Sequence, residues 1–126
     1  MDRYIYYNPN PKNKSTSDCV IRMLTKVYGY SWTEAYLRLS VIVLEEYEMP
    51  SDNDVWGIYL LRNGFKKNIL PSYCPDCMTI SQFAEIYNYG TYVVCTNTHT
   101  VAIVDGYYYD AWDSGNEVVT YYFERR

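Results

Sequence analysis

The chain has 126 residues and a net charge of −4, with 48% hydrophobic and 21% charged residues. That length points to one domain spanning residues 1–126, and that composition to a packed core rather than a disordered chain. The acidic balance and the lack of a basic patch argue against a nucleic-acid partner, and no apolar run approaches the ~20 residues that a membrane span needs.

The N-terminal stretch "MDRYIYYNPNPKNK" has no apolar signal core, so the expected location is cytoplasmic, in a reducing environment. The four cysteines, Cys19, Cys74, Cys77 and Cys95, are then expected as thiols rather than disulfides. The first 18 residues are polar, include Pro9 and Pro11, and read as an extended arm or loop. Thr16, Ser17 and Asp18 are good helix caps, and a helix is expected from Cys19, with Val20, Met23, Leu24 and Val27 on one side and Gly29 as its stop. "SWTE" forms a capping box before a second helix, which carries Ala35, Tyr36, Leu39, Ile42 and Val43 at helical spacing and ends before Pro50. A third helix is expected from Asn53 to Asn63, then a short strand in "FKKNIL", then a helix from the Thr79–Gln82 box to about Tyr89.

After Gly90 the pattern changes to β-branched and aromatic runs, "TYVVCT", "HTVAIV", "YYYDAW" and "VVTYYF", separated by turn residues. Asp105-Gly106 between two such runs is a strong hairpin signal. The layout predicts an α+β fold, with N-terminal helices packed on a C-terminal antiparallel sheet.

Within this layout three residue types fall where nucleophilic chemistry needs them. Cys19 opens a helix, whose N-terminus favours a thiolate. His99, the one histidine, begins a core strand and is placed as the base. A two-residue turn at Asp105-Gly106 pairs Val104 with Tyr107 and sets Val101 opposite Asp110, so His99 and Asp110 become diagonal neighbours on one face. Asp113 falls on the other face unless a bulge intervenes. Asp110 is therefore the expected orienting acid, with Asp113 as the alternative.

This order of cysteine, histidine and acid resembles that of the papain-like cysteine peptidases. "SDCVIRML" resembles the nucleophile helix of the bacteriocin-leader (double-glycine) peptidases and the Asp-Cys start of cell-wall endopeptidases of the same superfamily. "HTVAIVDG" is similar to their histidine strand and turn. "DAW", Asp110 to Trp112, is similar to the Asn-Ser-Trp of papain, whose tryptophan shields the histidine's hydrogen bond. The resemblance covers most of the chain, from Cys19 to Asp113. It implies a papain-like fold and a hydrolase, a thiol protease that cleaves a peptide or protein substrate through a Cys19–His99–Asp110 triad. It also implies an oxyanion donor a short way before the nucleophile, usually a glutamine; Asn13 stands there, with the same N–H group on a shorter side chain. The chain departs from papain in its shorter spacing from histidine to Asp110, and Asp113 lies nearer the usual distance.

Other readings stay open beside this one. A papain-like scaffold can serve as a non-catalytic binding protein, such as a phage or mobile-element effector that holds a host protein in the host cytoplasm. A cell-wall peptide hydrolase is the third reading. Cys74 and Cys77 form a Cys-x-x-Cys that reads as a redox pair, as half of a zinc site completed by Cys95 and His99, or as a turn with two unremarkable thiols. Zinc would consume the proposed base, so no metal and no cofactor is expected.

Overall fold

Apolar residues at helical spacing start at Cys19, and that stretch folds as α1 (Cys19–Tyr28), with Val20, Met23, Leu24 and Val27 buried. The computed structural model describes residues 2–49, 52–71 and 73–125. Gly29 ends α1 in left-handed geometry and donates its N–H to the Thr25 carbonyl at 2.9 Å. The second helix, α2 (Trp32–Glu46), is capped by Ser31, whose hydroxyl accepts the Glu34 N–H. The box is not reciprocal, because the Glu34 carboxylate turns along the helix to Arg38. Next come α3 (Asn53–Arg62) and β2 (Phe65–Ile69). Helix α4 (Ile80–Ile86) has the full Thr79–Gln82 capping box. It ends before the expected Tyr89, as Tyr87 leaves the helix and stacks on Phe83 with ring centroids 4.3 Å apart.

The strands after Gly90 are β3 (Thr91–Cys95), β4 (Thr100–Val104), β5 (Tyr107–Asp110) and β6 (Tyr121–Arg125). The β4–β5 hairpin turns on Asp105 and Gly106, at φ 50° and 83°, and pairs Val104 with Tyr107, Ile103 with Tyr108 and Ala102 with Tyr109. This is the expected register. Positive φ at both central residues matches the right-handed twist of the strands.

The α+β class holds, but the sheet is neither purely antiparallel nor confined to the C-terminal half. Residues Tyr4–Tyr6, expected in an extended arm or loop, form β1 and pair in parallel with β5. At the far edge β2 pairs antiparallel with β6, and the six strands lie in the order β1-β5-β4-β3-β6-β2. The arm was illegible as a strand because Tyr4–Tyr6 is too short to show alternation, and its partner lies some hundred residues away.

The sheet is covered on both faces. Val93, Cys95, Ala102 and Phe123 pack against α1, α2 and α3. Val94, Val101, Ile103 and Tyr108 pack against α4. Burial of alternate residues on opposite faces explains why these strands read as nearly continuous apolar runs.

The expectation of four free thiols is corrected. Cys74 and Cys77 form a disulfide in the loop between β2 and α4, where a turn brings their Cα atoms to 4.6 Å. Cys19 and Cys95 are free. Among the described residues no helix is long and apolar enough to cross a membrane.

The hairpin turn yields a direct test. A Cβ on Gly106 would lie 2.8 Å from the Arg3 guanidinium and 3.0 Å from Asn88 Cβ, in a conformation that L side chains disfavour. Gly106→Ala is expected to lower unfolding stability by about 1–2 kcal/mol. Urea denaturation measures it, and an unchanged midpoint would mean that the turn tolerates a side chain.

Candidate active site

A polar residue just before an apolar helix normally caps it. Asp18 does not: its side chain makes no cap hydrogen bond. Its carboxylate instead accepts the Trp32 indole N–H at 2.9 Å and an Arg22 N–H at 2.9 Å. The first backbone bond of α1 runs from the Arg22 N–H to the Asp18 carbonyl, so the N–H groups of Cys19, Val20 and Ile21 precede the helical ladder. Cys19 thus sits in the positive end of the α1 dipole, half-buried.

His99 precedes β4 in a tight turn closed by the Thr96 N–H on the His99 carbonyl at 2.8 Å. Its Nε2 donates to Asp110 Oδ2 at 2.7 Å, which leaves Nδ1 for the thiol side. No hydrogen bond of ordinary geometry joins Cys19 Sγ to His99 among the described residues. Trp112 covers the imidazole, with centroids 5.0 Å apart and planes tilted by 33°. This is the placement implied by the Asp-Ala-Trp likeness.

Asp110 is fully buried and accepts from four donors. His99 Nε2 and the Ser114 hydroxyl, at 2.6 Å, meet Oδ2, while the Ala111 N–H, at 2.8 Å, and Arg22 Nη2, at 3.0 Å, meet Oδ1. Every lone-pair direction of the carboxylate is engaged. Its backbone is held as well: the Tyr7 N–H donates to the Asp110 carbonyl at 2.8 Å, and Tyr6 pairs with Asp110 in the β1–β5 ladder.

The titration of the three groups follows from this geometry. Burial raises the Cys19 thiol, but the interaction with His99, the Thr100 backbone and the cations of His99 and Arg22 outweigh it, and its pKa lies below the ordinary thiol value. Burial disfavours the His99 imidazolium, yet the hydrogen bond to Asp110, the nearby Cys19 thiol and the charge of Asp110 raise its pKa to about 9. Burial also opposes ionisation of Asp110, and the bonds from His99 and Ser114 with the charges of His99 and Arg22 hold its pKa below the usual carboxylate range. The two shifts run in opposite directions, the sense that favours a thiolate beside an imidazolium.

A cleft of about 390 Å³ opens on Cys19 and His99. Trp32, Tyr36 and Leu39 from α2, Trp56 from α3 and Tyr121 from β6 give it apolar walls. Trp32 stacks on Tyr36 and Trp56 on Tyr121, with planes within 11° and 8°.

Two expected residues lie elsewhere. Asp113 does not reach His99; its Oδ1 accepts the Tyr108 hydroxyl at 2.6 Å and the Gly115 N–H at 3.0 Å. Asn13 does not line the cleft. It is exposed at φ 53° in the turn where its N–H meets the Asn10 carbonyl, and its Oδ1 accepts from the Asn8 amide. The shorter asparagine side chain, spent on a local turn, corrects the expected oxyanion role. Three residues escaped the sequence reading. Ser114 gives no signal of its own. Asp18 and Arg22 do, as an i,i+4 ion pair whose arginine falls among the buried positions of α1.

Among the described residues no group of three or more His, Cys, Asp or Glu side chains is placed to hold a metal ion. The Cys74–Cys77 disulfide occupies both thiols that a zinc site there would need. No protein-family model, curated protein or solved structure matches this chain.

The two free cysteines differ sharply, since burial pushes the Cys95 thiol up to about 12 while Cys19 is lowered. Brief iodoacetamide treatment of the native protein at pH 6–7, read by mass spectrometry, is expected to label Cys19 first and leave Cys95 unmodified. Equal labelling, or an inert Cys19, would refute the thiolate assignment.

Proposed function

We propose that this chain is a papain-like cysteine peptidase that hydrolyses a peptide or protein substrate. The observation that carries this reading is the 2.7 Å bond from His99 Nε2 to a fully buried Asp110, at the mouth of a cleft opened by Cys19. A strand histidine is more often structural than catalytic, but a structural one needs no acid fixing one ring nitrogen and no helix-terminal thiol on the other side.

The Cys19 thiolate attacks the scissile carbonyl carbon, and the oxygen that becomes negative accepts from N–H groups at the start of α1. His99 donates its proton to the leaving amine as the C–N bond breaks, which leaves a thioester on Cys19. Water then attacks the thioester, passing a proton to His99 as the C–S bond breaks, and the acid product leaves. Asp110 holds the imidazole in one orientation and stabilises its charged form. The apolar walls at Trp32, Tyr36, Trp56 and Tyr121 receive substrate side chains, so cleavage is expected next to or near apolar residues.

Cys19→Ala and His99→Ala are expected to abolish cleavage of a mixed peptide library, scored by mass spectrometry, with the fold retained. Asp110→Asn is expected to be severe for a geometric reason: turned one way, its NH2 meets the Arg22 and Ala111 donors, and turned the other it meets the His99 N–H, with only the Ser114 hydroxyl able to rotate and accept. A buried polar group left without a partner costs about 1–3 kcal/mol. Asp113→Asn should be mild, because an amide oxygen can still accept from Tyr108 and Gly115. Cleavage that survives Cys19→Ala would overturn the proposal. A folded wild type that binds a host protein but cleaves nothing would favour the binding reading.

Activity should follow a bell in pH. The acid limb is thiolate formation, below the ordinary thiol range because the Cys19 pKa is lowered. The alkaline limb is loss of the His99 proton near pH 9, the leaving-group acid being present only below it. These limbs belong to the coupled pair. An alkaline limb near pH 6.5, the value of free histidine, would show that Asp110 does not support the imidazolium.

A further inference from the structure

We propose that Arg22 is a positioning residue of this site, bridging Asp18 and Asp110 so that the Trp32 wall of the cleft and the acid that orients His99 form one connected unit. The inference rests on the cysteine-peptidase reading and extends it to residues outside the triad.

The bridge is continuous and buried. The Trp32 indole N–H meets Asp18 Oδ2 at 2.9 Å, Arg22 Nη1 meets Asp18 Oδ1 at 2.9 Å, Arg22 Nη2 meets Asp110 Oδ1 at 3.0 Å, and Asp110 Oδ2 accepts from His99 at 2.7 Å. Asp18 is 6% exposed, Arg22 5% and Asp110 0%. Only a planar guanidinium presents two separate nitrogens to two carboxylates in this way; a lysine offers a single point charge. The sites of attachment matter more than the charge count. Arg22 lies on the helix that carries Cys19, one turn further on, so the guanidinium ties the nucleophile's helix to the acid of β5.

The bridge also sets the field at the thiol. Asp18 just before α1, Arg22 on α1, His99 before β4 and Asp110 on β5 are the charged groups here. Cys95 on β3, Tyr36 on α2 and Tyr121 on β6, which line the same cleft, and the Tyr4 hydroxyl of β1, which donates to the Asp110 carbonyl, are the neutral titratable ones. From α2 the cluster receives the Trp32 indole. Without Arg22 the thiol would lose one neighbouring cation, and the carboxylates of Asp18 and Asp110 would lose the partner they share. Without the Asp18 charge the balance moves the other way.

Two readouts test this without turnover. The pH at which Cys19 alkylation by iodoacetamide reaches half its maximum is expected to rise in Arg22→Met, to fall in Asp18→Asn, and to lie between wild type and Arg22→Met in Arg22→Lys. His99 is the one histidine, so the proton NMR resonance of its Nε2–H, shared with Asp110, reads alone. It is expected to be sharp and downfield in wild type and lost to exchange in Arg22→Met. A purely structural ion pair would lower thermal stability and leave both readouts at wild-type values in the folded variants, and that outcome overturns the proposal. Should Arg22→Met not fold, Asp18→Asn decides: an alkylation midpoint that is unmoved or moves upward overturns the bridge, and a downward shift supports it. A wild type that cleaves no peptide and shows no enhanced Cys19 reactivity sinks the peptidase reading instead, while the resonance still judges Arg22.

Discussion

A buried carboxylate with four donors is the constraint on which the rest of this structure depends. Removing an ionised group from water is costly unless partners replace its hydration, and removing one partner from a buried pair costs about 3–5 kcal/mol. The donors to Asp110 come from three parts of the chain: α1 through Arg22, the turn before β4 through His99, and the loop after β5 through Ala111 and Ser114. These segments must dock together for the charge to be satisfied. The short β1 strand adds a fourth restraint by pairing with β5 at Asp110.

This arrangement links packing to chemistry. The hydrophobic layer between the sheet and α1, α2 and α3 supplies bulk stability, with Met23, Leu24, Leu39, Leu60 and Phe123 all buried. That layer alone would allow α1 to slide or rotate by small amounts at modest cost. The Arg22 fork, gripping Asp18 beside Cys19 and Asp110 on the sheet, penalises such movement far more steeply, because it breaks hydrogen bonds to charged groups. The cost of burying charge thus holds α1, and Cys19 with it, against the sheet, as the proposed covalent chemistry needs. The unused cap at Asp18 belongs to the same design. A capping carboxylate would have taken N–H groups at the start of α1 that the proposed mechanism assigns to the developing oxyanion.

The β4–β5 hairpin shows how local and tertiary effects divide. Asp105-Gly106 dictates a tight turn, and the turn dictates register, so His99 and Asp110 come to neighbouring positions at the end of one ladder. Strict alternation would put both on the face that packs against α4, since Val101 and Ile103 point there. They instead meet α1: His99 precedes β4, and Asp110 is the last residue of β5, beyond the final β4–β5 pair of Ala102 with Tyr109 and paired only with Tyr6 of β1.

By itself the sequence determined the four helices, the strands after Gly90, the hairpin register and the pairing of His99 with Asp110 rather than Asp113. Each of these rests on short-range physics: apolar periodicity, cap residues and a turn with positive φ. The tertiary structure alone decided the parallel pairing of β1, the withdrawal of Asn13 into its own turn, the disulfide between Cys74 and Cys77, and the bridge through Arg22 and Ser114. The β1 pairing and the Arg22–Asp110 contact join residues distant in sequence. The others depend on whether a polar side chain is used locally or left for the site. The i,i+4 spacing of Asp18 and Arg22 is legible as an ion pair, but such a pair reads the same on a solvated helix face as in a buried bridge, and only the burial of its surroundings tells the two apart.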